Sequence, residues 1–107
     1  MGCGFVGILT VDLHLPEGSS LKGKRKELLR LKSALARRFS CSVAEVDHHD
    51  LWQRARLTLA LVGRRASETE ARLAEASRVL HADEAFQVVA ASEQIVAVEA
   101  DAGERWA

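Results

Sequence analysis

Phe5-Val6-Gly7-Ile8-Leu9-Thr10-Val11-Asp12-Leu13-His14-Leu15 alternates with a period of two. Phe5, Leu9, Val11, Leu13 and Leu15 share one parity with Gly7. Val6, Ile8, Thr10, Asp12 and His14 share the other. Successive side chains of an extended segment point to opposite faces, so this is a strand with one strongly apolar face. Ala55 to Gly63 repeats the pattern, with Leu57, Leu59 and Leu61 alternating against Arg56, Thr58, Ala60 and Val62.

Between these strands the period changes. After a turn at Pro16-Glu17-Gly18-Ser19, Ser20 is a plausible N-cap for a helix over about Leu21 to Phe39. Leu21, Leu28, Leu31, Leu35 and Phe39 mark its buried stripe. Cys41 to Asp47 reads as a short strand, and His48 to Gln53 as a polar connection. Ser67 and Glu70 have the spacing of a capping box, which starts a second helix running to about His81 with Leu73, Ala76 and Leu80 inward. Phe86 to Ala91 and Ile95 to Val98 form a last strand, expected to bend near Ser92-Glu93. The order is β-α-β-β-α-β. Two right-handed βαβ crossovers, each leaving room for one strand, interleave into a four-stranded antiparallel sheet with both helices on one face. The expectation is therefore an α+β, ferredoxin-like fold: one domain over residues 1–100, then a C-terminal tail over 101–107.

The 107 residues suit one domain, and 48% hydrophobic content supports one modest core. The formal net charge is zero, but the charge is unevenly placed. Ser20 to Ser40 holds Lys22, Lys24, Arg25, Lys26, Arg30, Lys32, Arg37 and Arg38 against the single acid Glu27. From Ser67 onward acids outnumber bases. A neutral chain polarised in this way still presents a strong local field. Neither a signal peptide nor a membrane-length apolar run is visible, so the expected location is cytoplasmic. Two cysteines do not make a disulfide framework. Cys3 and Cys41 open strands expected to lie about 10 Å apart with a third between them, too far for a bridge.

Four blocks in order carry a resemblance: Leu15-Pro16, Ser20-Leu21-Lys22-Gly23-Lys24-Arg25, Val43-Ala44-Glu45-Val46-Asp47, and Asp50-Leu51-Trp52-Gln53-Arg54-Ala55. The chain resembles the YlxP-like family, a bacterial domain of unknown function, from Val6 to about Val98. The resemblance implies the same ferredoxin-like fold. It also implies a role near ribosomal RNA, because genes of the family often lie beside those for translation initiation and ribosome maturation. No activity comes with it.

The basic helix is the leading candidate site. A helix N-terminus already carries a positive dipole end and free amides, so Lys22, Lys24, Arg25 and Lys26 there are individually unfavourable and acids would be the stabilising choice. A bound phosphate would reverse that sign. The expected nucleic-acid contacts are Lys22, Lys24, Arg25, Lys26, Arg30 and Arg37. The competing reading is an ordinary solvated face paired with acids elsewhere. The open sheet face offers no aromatic for base stacking. Its aliphatic residues suggest instead a contact between copies of the chain, the alternative to RNA or ribonucleoprotein binding. Trp52, with Gln53 and Arg54, is either a loop anchor or a partner contact. Asp47-His48-His49-Asp50 reads as a polar turn, since adjacent residues of an extended segment point apart and no further ligand spacing accompanies them. No nucleophile–base pair, metal or cofactor is expected.

Overall fold

The structure, a computed structural model, describes residues 2–16 and 20–99. The expected turn residues 17–19 and the expected tail 101–107 lie outside the described residues. In chain order the elements are β1 (Gly2–His14), α1 (Leu21–Phe39), β2 (Ser42–Asp47), β3 (Arg54–Gly63), α2 (Ala66–His81) and β4 (Gln87–Glu99). The strands form one sheet in the order β2-β3-β1-β4, with every neighbouring pair antiparallel. This is the ferredoxin-like βαββαβ arrangement. Among the described residues no helix is long and apolar enough to cross a membrane.

The two alternating segments lie side by side at the centre of the sheet. β1 and β3 pair in unbroken register from Phe5↔Gly63 to His14↔Arg54. That register puts Leu9, Val11 and Leu13 level with Leu59, Leu57 and Ala55, all buried on one face. Leu28, Leu31, Leu35 and Phe39 of α1 and Leu73, Ala76 and Leu80 of α2 complete the core. A one-residue slip of either β1 or β3 would turn that strand's whole apolar set to the open face, so the pattern itself pins the register.

Two local expectations are corrected. β4 is one continuous strand. Ser92 pairs with Thr10 and Glu93 with Leu9 without interruption, and the two register shifts fall elsewhere, between Gly2 and Phe5 and between Asp12 and Leu13, where Val89 is the extra residue. The Ser67–Glu70 capping box does not form. α2 begins at Ala66, so Ser67 is already inside the helix, and the N-cap is Arg65 with no side-chain cap.

The start of α2 is held by packing instead. Thr69 is fully buried, and its hydroxyl donates to the Arg65 carbonyl at 2.8 Å. It rests on two glycines of the sheet. A Cβ on Gly7 would come within 2.8 Å of Thr69 Cγ2 and 2.9 Å of Leu73 Cδ1. A Cβ on Gly63 would collide with Thr69 Oγ1. The helix lies this low because both strands lack side chains beneath it.

Among the described residues no helix lies on the opposite face of the sheet, which falls into register rows. The first is Val62, Val6 and Val96, the second Ala60, Ile8 and Gln94, and the third Thr58, Thr10 and Ser92. Ser42 and Ala44 of β2 extend the second and third. Thr10 and Thr58 share a hydrogen bond of 2.8 Å. The fourth row is ionic: Arg56 binds Asp12 through Nε at 2.7 Å and Nη2 at 3.2 Å, and Asp47 through Nη1 at 3.3 Å.

Two outcomes follow from this packing. Gly63→Ala should lower unfolding free energy by about 1–3 kcal/mol, as overpacking does. Adding Thr69→Ala should restore part of the loss, and denaturant melts of the two single variants and the double variant measure that coupling. The second outcome concerns acid. The hydrogen bond from Arg56 holds the Asp12 carboxyl below its ordinary value of 3.8, against a smaller opposing effect of burial. A carboxylate with a depressed folded pKa contributes stability that is complete above its unfolded pKa and is lost as pH falls through the folded value. Stability should therefore decline below about pH 4, and Asp12→Asn should flatten that part of the profile measured by pH-dependent melts.

Candidate nucleic-acid interface

The side chains expected on a single basic face do not share one fate. Lys24 belongs to the core side of α1. It is 1% exposed, and it stands four residues before Leu28 and seven before Leu31 on the same buried stripe. Its ammonium donates to the carbonyls of His48 and Leu51, both at 2.6 Å. The Glu45 carboxylate lies 3.0 Å away but off the hydrogen-bonding direction, so that third contact is chiefly electrostatic. A lysine has three N–H donors and no acceptor, and here each finds negative charge. Lys24 is thus withdrawn from the expected phosphate contacts: a group enclosed by its own chain does not reach a ligand.

Those carbonyls belong to the β2–β3 connection. His48 adopts φ 67°, and the Leu51 amide donates back to its carbonyl at 3.1 Å. Asp47 accepts from the His48 amide at 2.7 Å and pairs with Arg56. The ring of His49 meets the Glu45 carbonyl at 3.1 Å. Asp47, His48 and His49 are therefore engaged with the turn itself.

Arg30 is exposed but neutralised. Its Nε donates to Glu27 at 2.8 Å, and Nη2 reaches both oxygens of Asp83 at 2.9 and 3.1 Å. The hydrogen bond that it donates to Glu27, against an opposing effect of burial and with the one donated to Asp83, raises its pKa further. Asp83 also accepts from the amides of Ala85 and Phe86, so Arg30 fixes the entry to β4. Arg38, which was not expected as a contact, pairs with Glu75 at 3.0 Å and lies over the Phe39 ring at 5.4 Å.

What remains on α1 is Lys22, Arg25, Lys26 and Arg37, all exposed, with Lys32 half-buried. None of these five makes an ion pair among the described residues. Ser20 caps the helix, its hydroxyl accepting from the Gly23 amide at 3.1 Å, and the first turn contains no acid. Lys22 to Arg37 spans about 22 Å at 1.5 Å per residue. Leu29, 65% exposed, interrupts this surface with an apolar side chain.

The Trp52 group is divided. Trp52 is half-buried, and Gln53 is exposed while its carbonyl accepts from the Leu15 amide at 2.8 Å. Arg54 opens β3 opposite His14. Ala55 beside it is buried inward, so alternation turns Arg54 to the open face, away from α1. Cys3 and Cys41 are both free thiols, and burial pushes the Cys41 thiol up.

Comparison with known proteins follows this geometry. The pattern of the family described as "Protein of unknown function (DUF503)" matches residues 6–93. The uncharacterized protein YlxP of Bacillus subtilis is 30% identical over 68 residues, covering 64% of this chain and 74% of that protein. A solved structure titled "Structural Genomics, protein YJCS" superposes with a TM-score of 0.51 at 11% identity, covering 83% of this chain and 96% of that one. At that identity the likeness concerns the fold alone. The match over residues 6–93 takes in every strand and both helices from Val6 to Glu93, and on that ground the chain belongs to the YlxP-like DUF503 family.

Proposed function

We propose that this chain is a cytoplasmic, non-catalytic binding module for RNA or a ribonucleoprotein, docking by phosphate contact through the outer side of α1. The observation that carries this reading is the set of cations left without ion partners among the described residues. Lys22, Arg25, Lys26, Lys32 and Arg37 lie along one helix, whereas Arg30 and Arg38 on the same helix have acids. The charges of Arg30 and Arg38 are already met by acids of the chain, and these five are the ones left to an anionic ligand. Backbone contact of this kind positions a protein on folded RNA without reading bases, in keeping with a sheet face that carries no aromatic side chain in its rows. The gene surroundings of the resembling family point to the same partner class.

The test is the salt dependence of binding to a structured RNA, measured by anisotropy titration. Each phosphate contact contributes a slope in log K against log salt of about −0.7 on single strands to about −0.9 on duplexes. Lys26→Ala with Arg37→Ala should weaken binding and make the slope shallower by roughly 1.4 to 1.8. Unchanged slope and affinity would remove α1 from the interface.

Lys24 supplies the contrast. Lys24→Met leaves Glu45 and two carbonyls without their cation, and removing one partner of a buried pair costs about 3–5 kcal/mol. Chemical denaturation should show that loss. At temperatures where the variant remains folded, its salt slope should equal that of the unmodified chain.

A further inference from the structure

The open face of the sheet combines an absence of charge with a pattern that fits itself. In a chain with 28% charged residues, the first three register rows of that face contain none. Val62 is 67% exposed there and Val96 39%. Beside them a shallow hollow of about 200 Å³ is floored by the small side chains of Ala44, Ala60 and Thr58. Depletion of charge with retained apolar surface marks the centre of an interface rather than a solvated face.

We propose that a second copy of this chain packs on this face, sheet against sheet, about a two-fold axis running along the strands between β1 and β3. Such an axis exchanges β1 and β3. Because the two strands are in unbroken register, each residue then faces the register partner of its equivalent. Val62 meets Val6 of the second copy, and the small Ala60 meets the larger Ile8. Arg56 meets Asp12 of the second copy, so the two existing ion pairs close into an alternating ring of four charges. The face is complementary to itself in size and in sign, as an isologous contact requires.

The extent is sufficient. Four strands about 4.8 Å apart and a length of roughly 25 Å give about 500 Å² per copy, and two copies reach the lower bound of about 1,000 Å² for a specific interface. Sheets stacked in this way keep their strands within about 30° of each other, which preserves these pairings near the axis. The helices lie on the other side of the sheet, so both α1 surfaces stay open, and the proposal stands or falls apart from RNA binding.

Sedimentation equilibrium of the full chain, from low micromolar to near-millimolar concentration, tests it. The unmodified chain should be in monomer–dimer equilibrium. Val62→Glu should weaken association by about tenfold or more, with an unchanged far-ultraviolet circular dichroism spectrum because Val62 is largely exposed. Val96→Glu serves the same purpose should Val62→Glu disturb folding. Arg56→Asp should also dissociate the dimer, and the swap Asp12→Arg with Arg56→Asp should restore it, since the ring again alternates. A chain that stays monomeric throughout overturns the proposal. So does a dimer indifferent to both glutamate substitutions, or a monomer whose open face crosslinks in cells to a different protein.

Discussion

One enclosed ammonium connects the parts of this molecule that the core does not reach. Lys24 sits in the second turn of α1, and its acceptors come from β2 and from the connection leading to β3. Taking a cation out of water costs several kcal/mol, and the cost is offset only when geometry and hydrogen bonding are good. Here two short bonds to carbonyls and a carboxylate meet that condition. Breaking any one leaves the others facing an unsatisfied charge, so helix, strand and turn hold their positions together. The left-handed backbone of His48 is tolerated because its carbonyl is one of the acceptors.

That tie gives the molecule two dissimilar sides. The helix side carries cations unpaired among the described residues, and the sheet side carries three uncharged rows followed by the Asp12–Arg56–Asp47 cluster. The division follows from strand alternation and helix periodicity acting on the same core. Leucines take the inward parity of β1 and β3, so whatever the sequence puts on the outward parity becomes a surface that no described element covers. On α1 the inward stripe takes Lys24 with the leucines, leaving the remaining lysines to solvent.

The architecture was legible because its signals are long. Alternation across residues 5–15 and 55–63, and leucine spacing across residues 21–39, average out local noise. Local chemistry was less legible. Ser67 and Glu70 have the spacing of a capping box, yet the helix begins earlier because Thr69 fits onto Gly7 and Gly63, a fit that exists only once the sheet has formed. The bend expected at Ser92-Glu93 rested on polar residues that prove to be ordinary members of an edge strand. For the candidate site, charge and helix identified α1 but not the distribution of roles along it. Lys24 could have been separated in advance, since positions 24, 28, 31 and 35 form one stripe. Arg30 could not, because its partner Asp83 lies fifty-three residues away.

All four lysines of the chain lie in α1, and only one is sealed inside. Acylating reagents therefore meet two populations on a single helix: Lys22, Lys26 and Lys32 at the surface or near it, and Lys24 protected by the turn it holds. Its amine becomes nucleophilic toward such a reagent only when that turn opens and the ammonium gives up its acceptors. The rate of its labelling is then set by the local opening equilibrium, and the same residue that closes the turn keeps time for its opening.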